Sequence, residues 1–302
     1  MTLDDWYAGG HLYNYRGQTF FYRDEGAGEP LLCIHGFPTA SWDWHKLWPA
    51  LTARFRVVAL DMLGFGYSDK PPDHPYSLFT QATLHEVLLQ HLGLDAVHIL
   101  AHDYGDTVVQ ELLARHRKRR EQDRPGVQIR SVCLLNGGLF PEAIRPRPIQ
   151  KLLESPLGWL AGRLMREALF RKSFRTVFGP DTQPTDEELA DFWHLITYND
   201  GLKVAHKISA YQLERRQNRQ RWVGALCRTR VPLRFINGPL DPISGRTMIT
   251  RYRQIIPTPD VVVLDGIGHY PQFEAPEAVL DAYFAFIDTV SQRQDPYRIV
   301  PL

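Results

Sequence analysis

Ten consecutive residues constrain this chain more than any others: Val97-His98-Ile99-Leu100-Ala101-His102-Asp103-Tyr104-Gly105-Asp106. The short apolar run with β-branched members at its start predicts a buried strand. Behind it, Val108, Val109, Leu112 and Leu113 recur at helical spacing, so the strand passes directly into a helix. Between the two lies Ala101-x-Asp103-x-Gly105, with a small residue on each side of a reactive one. A turn that tight puts its central residue into a strained backbone conformation and closes only over small neighbours. The plainer reading of the same stretch is an aspartate capping a helix N-terminus. The rest of the chain has to discriminate.

The chain has 302 residues, enough for a full core, as one large α/β domain or a domain with an insertion. Its 44% hydrophobic and 23% charged content is ordinary for a globular enzyme. A formal net charge of +1 gives no reason to expect a nucleic-acid partner. Three cysteines form no disulfide framework; Cys33 and Cys133 sit in strand-like apolar runs and are expected in the core, and Cys227 stands alone, without the clustered partners a metal site needs. The N-terminal MTLDDWYAGG lacks a basic start and an apolar h-region, so no secretory signal is expected. No apolar stretch approaches the ~20 residues of a bilayer span. A cytoplasmic setting is the expectation.

Strands are expected at residues 18–24, 31–34, 56–60, 131–135, 233–236 and 261–264, with helices at about 80–92 and 276–290. Trp42, Trp44 and Trp48 fall in a helix-like stretch, and the basic run 115–120 reads as a helix end and loop, with residues 291–302 as a polar tail. From about 141 to 224 the texture changes to Trp, Phe and Leu at helical spacings with many Arg. That segment is expected to be a helical cap, with residues 1–140 and 225–302 forming the core. Short continuous apolar strands alternating with helices imply an α/β fold with a mainly parallel sheet covered on both faces.

In open α/β sheets, sites form beyond the carboxyl ends of the strands. Four strand ends here carry suggestive residues. They are His35-Gly36-Phe37-Pro38, the Asp103 turn, Asn237-Gly238-Pro239-Leu240-Asp241-Pro242, and Asp265-Gly266-Ile267-Gly268-His269-Tyr270-Pro271. Their order along the chain is nucleophile, acid, base. In these motifs the sequence resembles the α/β-hydrolase superfamily over nearly its whole length, with Asp at the elbow in place of the Ser of the common pattern. The Asp elbow resembles the epoxide hydrolase and haloalkane dehalogenase branch. The strings His102–Asp106, Arg221–Leu226 and Gly238–Pro242 are most similar to the mesoderm-specific transcript proteins, a likeness that brings no settled reaction with it.

Residue chemistry agrees with the branch. An Asp carboxylate is ionised at neutral pH and can attack an sp³ carbon directly. Water must then attack the resulting ester on Asp103, with His269 as general base and Asp241 holding the other ring nitrogen. Backbone N–H groups of Phe37 and Tyr104 would stabilise the oxyanion. Asp106 rivals Asp241 by proximity, but three residues past Asp103 it faces into the helix. The resemblance bears on the leaving group too. Dehalogenases of this branch carry a halide-binding Trp, or Arg in the fluoroacetate type, after the nucleophile; here that position is Tyr104, and the partner Asn of some dehalogenases is Phe37. Epoxide hydrolases use two lid tyrosines. Tyr211 matches the second by position, and Tyr198 is the substitute for the first because residues 141–180 contain no Tyr. Trp193 could contact substrate or simply pack the lid. The expected function is cofactor-free hydrolysis of a hydrophobic small molecule, epoxide to vicinal diol. A haloalkane dehalogenase and a ligand-binding protein with little turnover are the alternatives.

Overall fold

The computed structural model describes residues 1–294. Eight strands form one sheet in the order β1-β2-β4-β3-β5-β6-β7-β8. They are β1 (His11–Tyr15), β2 (Gln18–Glu25), β3 (Glu29–Ile34), β4 (Phe55–Leu60), β5 (Ala96–His102), β6 (Gln128–Leu135), β7 (Leu233–Asn237) and β8 (Val261–Val263). β1 and β2 run antiparallel at one edge, and all pairs from β4 to β8 are parallel. Every expected strand is present within a few residues of its expected bounds. β1 was not foreseen: it is an edge strand with half-exposed side chains, so burial imposes little pattern on it.

The central strands are buried on both faces, which is why they read as continuous apolar runs. Leu32 and Ile34 of β3 join Ile99 of β5 and Val132 of β6 in one core. Leu31 and Cys33 point the other way and meet Leu100 and Cys133 in a second core. Helices α1 (Leu3–Ala8), α2 (Trp48–Thr52), α3 (Leu78–His91) and α4 (Tyr104–Glu121) occupy the first half. The Trp42–Trp48 stretch is a short 3₁₀ turn, Ser41–Trp44, followed by α2. The basic run 115–120 lies wholly inside α4 rather than in a loop. Arg115 and Arg119 there extend to Glu86 of α3, so acidic partners across the helix pair keep it helical.

Between β6 and β7 the chain is entirely helical apart from turns: α5 (Pro148–Glu154), α6 (Gly158–Leu164), α7 (Glu167–Arg175), α8 (Asp186–Thr197), α9 (Gly201–Ser209), α10 (Tyr211–Gln217) and α11 (Arg219–Arg228). The expected limit of the insert at residue 224 falls within α11. That helix packs along α4, where buried Glu111 binds Arg221 at 2.6 Å and accepts from the Trp222 indole at 2.9 Å. α11 therefore belongs to the flank of the sheet. The remaining helices are α12 (Arg246–Ile255), α13 (Pro271–Glu274) and α14 (Pro276–Gln294). α14 carries the expected last helix on to Gln294, through the start of the expected tail; residues 295–302 of that tail lie outside the described residues.

The elbow is closed by a near contact of backbones. A Cβ on Gly105 would stand 2.5 Å from the Ile34 carbonyl oxygen and 2.7 Å from that of His35, both rigid backbone. Gly105→Ala is expected to part α4 from β3 at a cost of about 1–3 kcal/mol. Thermal unfolding should show a Tm lowered by several degrees, and an unchanged Tm would mean that the two elements separate freely.

Candidate active site

β5 ends at His102, and Asp103 turns the chain with φ +48° and ψ −104° before α4 begins. A non-glycine residue in that region costs about 1–3 kcal/mol and persists only where its surroundings impose it. Here they do. The Asp103 N–H donates to the Leu135 carbonyl at 3.2 Å, and its carbonyl accepts from the Asp106 N–H at 3.2 Å and the Arg215 guanidinium at 3.1 Å. The Asp103 side chain makes no capping bond to α4. It projects away from the helix, and Oδ2 accepts from the Phe37 N–H at 3.2 Å. Tyr104 is the first residue of α4, so its N–H is one of the donors that no helical carbonyl satisfies.

His269 follows β8 and Asp241 follows β7. His269 Nδ1 lies 2.8 Å from Asp241 Oδ2. The same oxygen accepts from Asn136 Nδ2 at 3.0 Å and Ser244 Oγ at 2.6 Å, and Oδ1 accepts from the Ile243 N–H at 2.7 Å. Burial alone would raise the Asp241 carboxyl, but His269 and these donors outweigh it and hold it down at about 2. For His269 burial opposes the charged ring, and the charge and hydrogen bond of Asp241, with the charge of Asp103, raise it to about 9. Asp106, the rival acid, is buried in the first turn of α4 away from His269. Neither of its oxygens has a partner among the described residues, and burial plus the Asp103 charge keep it neutral.

Asp103 and His269 both face a cavity of about 130 Å³. Its walls are chiefly apolar, with Phe37, Leu153, Met165, Phe174, Trp193 and Tyr270 among them, and Arg147 and Gln150 at the edge. Trp193 thus reaches the cavity. Tyr211 does not line it: the ring is buried beneath, 5.8 Å from Phe37 and 4.9 Å from Tyr104 between centroids, and its hydroxyl accepts from Gln212 at 2.9 Å. Burial first, and then the charge of Asp103, push the Tyr211 phenol up. Tyr198 is set apart from the cavity. It is 36% exposed and packs edge-on to Tyr67, just before a turn in which Asn199 and Asp200 take positive φ. Tyr198 is not among the residues that line the cavity beside Asp103, where a leaving-group contact would place it.

Three neighbours of the site carried no recognisable spacing in the sequence. Arg215 is buried on α10, with Nη2 3.7 Å from Asp103 Oδ1, Nε donating to Thr107 at 2.7 Å, and its plane over Tyr211. Asn136, with φ +41°, ties β6 to the Asp241 loop. Tyr270 adjoins His269 and lines the cavity, and its buried hydroxyl has no partner among the described residues. His35 and His102 hold structural hydrogen bonds. His35 accepts from the Met62 N–H and bonds the Gly36 carbonyl, and His102 Nε2 bonds the His269 carbonyl at 2.8 Å; burial holds both near 3 and neutral. Ser68 and Ser244 are occupied as hydrogen-bond donors to Asp61 and Asp241, away from any elbow. Among the described residues no cluster of three His, Cys, Asp or Glu could hold a metal ion, and no helix is long and apolar enough to cross a membrane.

The alpha/beta hydrolase fold family matches residues 29–276, which takes in the elbow, the acid loop and the histidine loop together. The chain belongs to that family. The mesoderm-specific transcript protein of Mus musculus is 46% identical over 300 residues, covering 95% of this chain and 88% of its own. A soluble epoxide hydrolase of Corynebacterium sp. (strain C12) is 37% identical over a shorter stretch of 98 residues, 32% of this chain and 34% of its own. The solved structure of the epoxide hydrolase CorEH superposes with a TM-score of 0.77 at 20% identity, over 93% of this chain and 99% of that one, a likeness of fold. As a hydrolase of the alpha/beta family, the protein has its sheet, elbow and helical insert arranged around one cavity.

The ionic pair makes a prediction on pH. The stabilisation from His269, whose pKa rises on folding from 6.5 to about 9, is complete below 6.5 and lost as pH climbs through 9. That from Asp241, lowered from 3.8 to about 2, is complete above 3.8 and lost as pH falls through 2. Asp241→Asn removes the charge that holds the proton on His269. Its imidazole, followed by histidine NMR, should titrate well below 9, and an unmoved titration would locate the cause elsewhere.

Proposed function

We propose that the protein is a cofactor-free hydrolase that forms a covalent alkyl ester on Asp103, and that its substrate is an epoxide carried on an apolar skeleton. The observation that carries this reading is a carboxylate at the elbow, on one wall of an apolar cavity, with a histidine–aspartate pair on the same cavity. Asp103 attacks an epoxide carbon, a C–O bond of the ring breaks, and the new alkoxide takes a proton. Water then adds to the ester carbonyl carbon while His269 takes its proton. The N–H groups of Phe37 and Tyr104 receive the oxyanion, and collapse releases the diol and restores the carboxylate. Esterification cancels the charge of Asp103, one of the charges that favours a protonated His269, so the ring gives up its proton more readily and is free to accept one from water in the second step.

The alkoxide needs an O–H donor. Tyr270 lines the cavity with a buried hydroxyl that has no partner among the described residues, and Tyr211 packs against Phe37 of the cavity wall, which supports assigning the proton to them. Tyr211 would turn its hydroxyl from Gln212 as the alkoxide forms. Tyr211→Phe is then expected to slow alkylation by about 10²-fold or more while leaving ester hydrolysis nearly unchanged. Pre-steady-state alkylation at the wild-type rate would remove Tyr211 from the step. A haloalkane is the second reading, favoured by the Trp193 side chain on the cavity wall. One experiment separates the two. His269→Gln should stall the ester, and incubation with a panel of epoxides and haloalkanes should leave an adduct on the peptide containing Asp103. The adduct mass names the electrophile; folded protein that traps nothing while binding panel members tightly would point to a ligand-binding protein instead.

A further inference from the structure

α5 and α6 have two different apolar faces. The inner face belongs to the cavity: Leu153, Gly162 and the adjoining Met165 line it, and a Cβ on Gly162 would stand 2.5 Å from the Leu202 carbonyl oxygen of α9. The outer face is also apolar. Leu152, Leu157, Trp159, Leu160 and Leu164, with Leu169 of α7 beyond, are 37% to 65% exposed. On α6 the positions 159, 160, 163 and 164 share one side of the helix, opposite the buried Gly158 and Gly162. Large apolar side chains concentrated on one short stretch mark an interaction site rather than scattered surface residues.

Charge says what covers this face. Residues 145–175 hold eight Lys or Arg against two Glu, a net +6 within a chain whose whole is +1. Arg145, Lys151, Arg163, Arg166 and Lys172 are exposed around the apolar residues, and Arg163 lies over the Trp159 ring at 5.5 Å. A second copy of the same face would set these exposed cations against their like, which disfavours self-association. Leucines and an aromatic flanked by cations are the composition of a segment lying in an anionic lipid interface. We propose that α5, α6 and the turn between them dock on the surface of an anionic phospholipid bilayer. The inner side of the same single layer of helices lines the catalytic cavity, so a membrane-dissolved apolar substrate has one layer of side chains to pass; this purpose rests on the function proposed above, the docking itself does not.

Flotation of the full chain with vesicles tests it. Vesicles of phosphatidylcholine with a fifth of phosphatidylglycerol should carry the protein up a density gradient, and pure phosphatidylcholine vesicles far less. Each cation near an anionic surface is worth roughly fivefold in partitioning, so Arg163→Glu with Arg166→Glu should lower it by more than about tenfold. Trp159→Ser with Leu164→Ser should lower it without altering the dependence on phosphatidylglycerol. All four positions are exposed, and equal Tm values would certify that the variants fold. Absence of flotation, flotation indifferent to lipid charge, variants that float like wild type, or a dimer in sedimentation that the variants dissolve would each overturn the proposal. Because flotation needs no turnover, a chain that floats but traps no ester loses the chemistry and keeps the surface.

Discussion

The conformation of Asp103 is the constraint from which the site follows. A residue at φ +48° is unfavourable, and what imposes it is the packing of three crossings free of Cβ atoms. Gly105 lets α4 start against the carbonyls that end β3. Gly36 allows the loop after β3 to lie over the elbow, where a Cβ would meet the His102 ring at 2.7 Å and Asp103 Cβ at 3.0 Å. Gly137 leaves room for Asp106, whose Oδ2 would stand 1.9 Å from an added Cβ. With those three contacts closed, the Asp103 carboxylate has one direction left, toward the Phe37 N–H and the cavity.

Around this residue the buried charges are arranged to balance. Asp103 and Asp241 are matched by His269 and Arg215, and burial pushes the carboxyls of Asp43 and Asp106 toward the uncharged form. Asp43 accepts from Thr39 and is held neutral chiefly by burial, as Asp106 is. His35 and His102, buried beside the same residues, remain neutral by the same means. Each uncharged group avoids the cost of an uncompensated ion in a low-dielectric interior. Asp241 and Asp103, helped by Glu274, raise His269, whereas at His102 burial outweighs the same two charges. Changing the charge on either one changes the base.

How much of this could be read beforehand depends on what each residue's role requires locally. The parallel strands were legible because burial on both faces leaves nothing but apolar runs. The positions of Asp103, Asp241 and His269 were legible because each stands just after such a run. β1 was not, since pairing through backbone alone asks little of its side chains. The lid tyrosines were read by position along the chain, and position there does not determine direction. Tyr211 lies under the cavity floor against Phe37 and Tyr104, and Tyr198 packs on Tyr67 away from the cavity. Arg215 and Asn136 had no signal at all. One is an arginine among many in α10 and α11, the other an asparagine after a strand, and only the approach of distant segments makes them neighbours of Asp103 and Asp241.

The insert contributes differently from the sheet. The sheet holds the reacting groups rigidly at strand ends, whereas short helices such as α5 and α6, of seven residues each, gain little stability from their own hydrogen bonds. They are held by what they bury. Their inner side chains complete an apolar wall around Asp103 and His269, which in the proposed mechanism excludes water from the first step and keeps the electrostatics of the site strong. In that proposed mechanism, however, the second step consumes a water molecule. A wall that excluded water permanently would leave the ester standing, so this layer must admit water after alkylation. The groups able to guide that water are polar and already at the edge of the cavity: Arg147 and Gln150 at the start of α5, the same layer of helices whose outer face is apolar and basic.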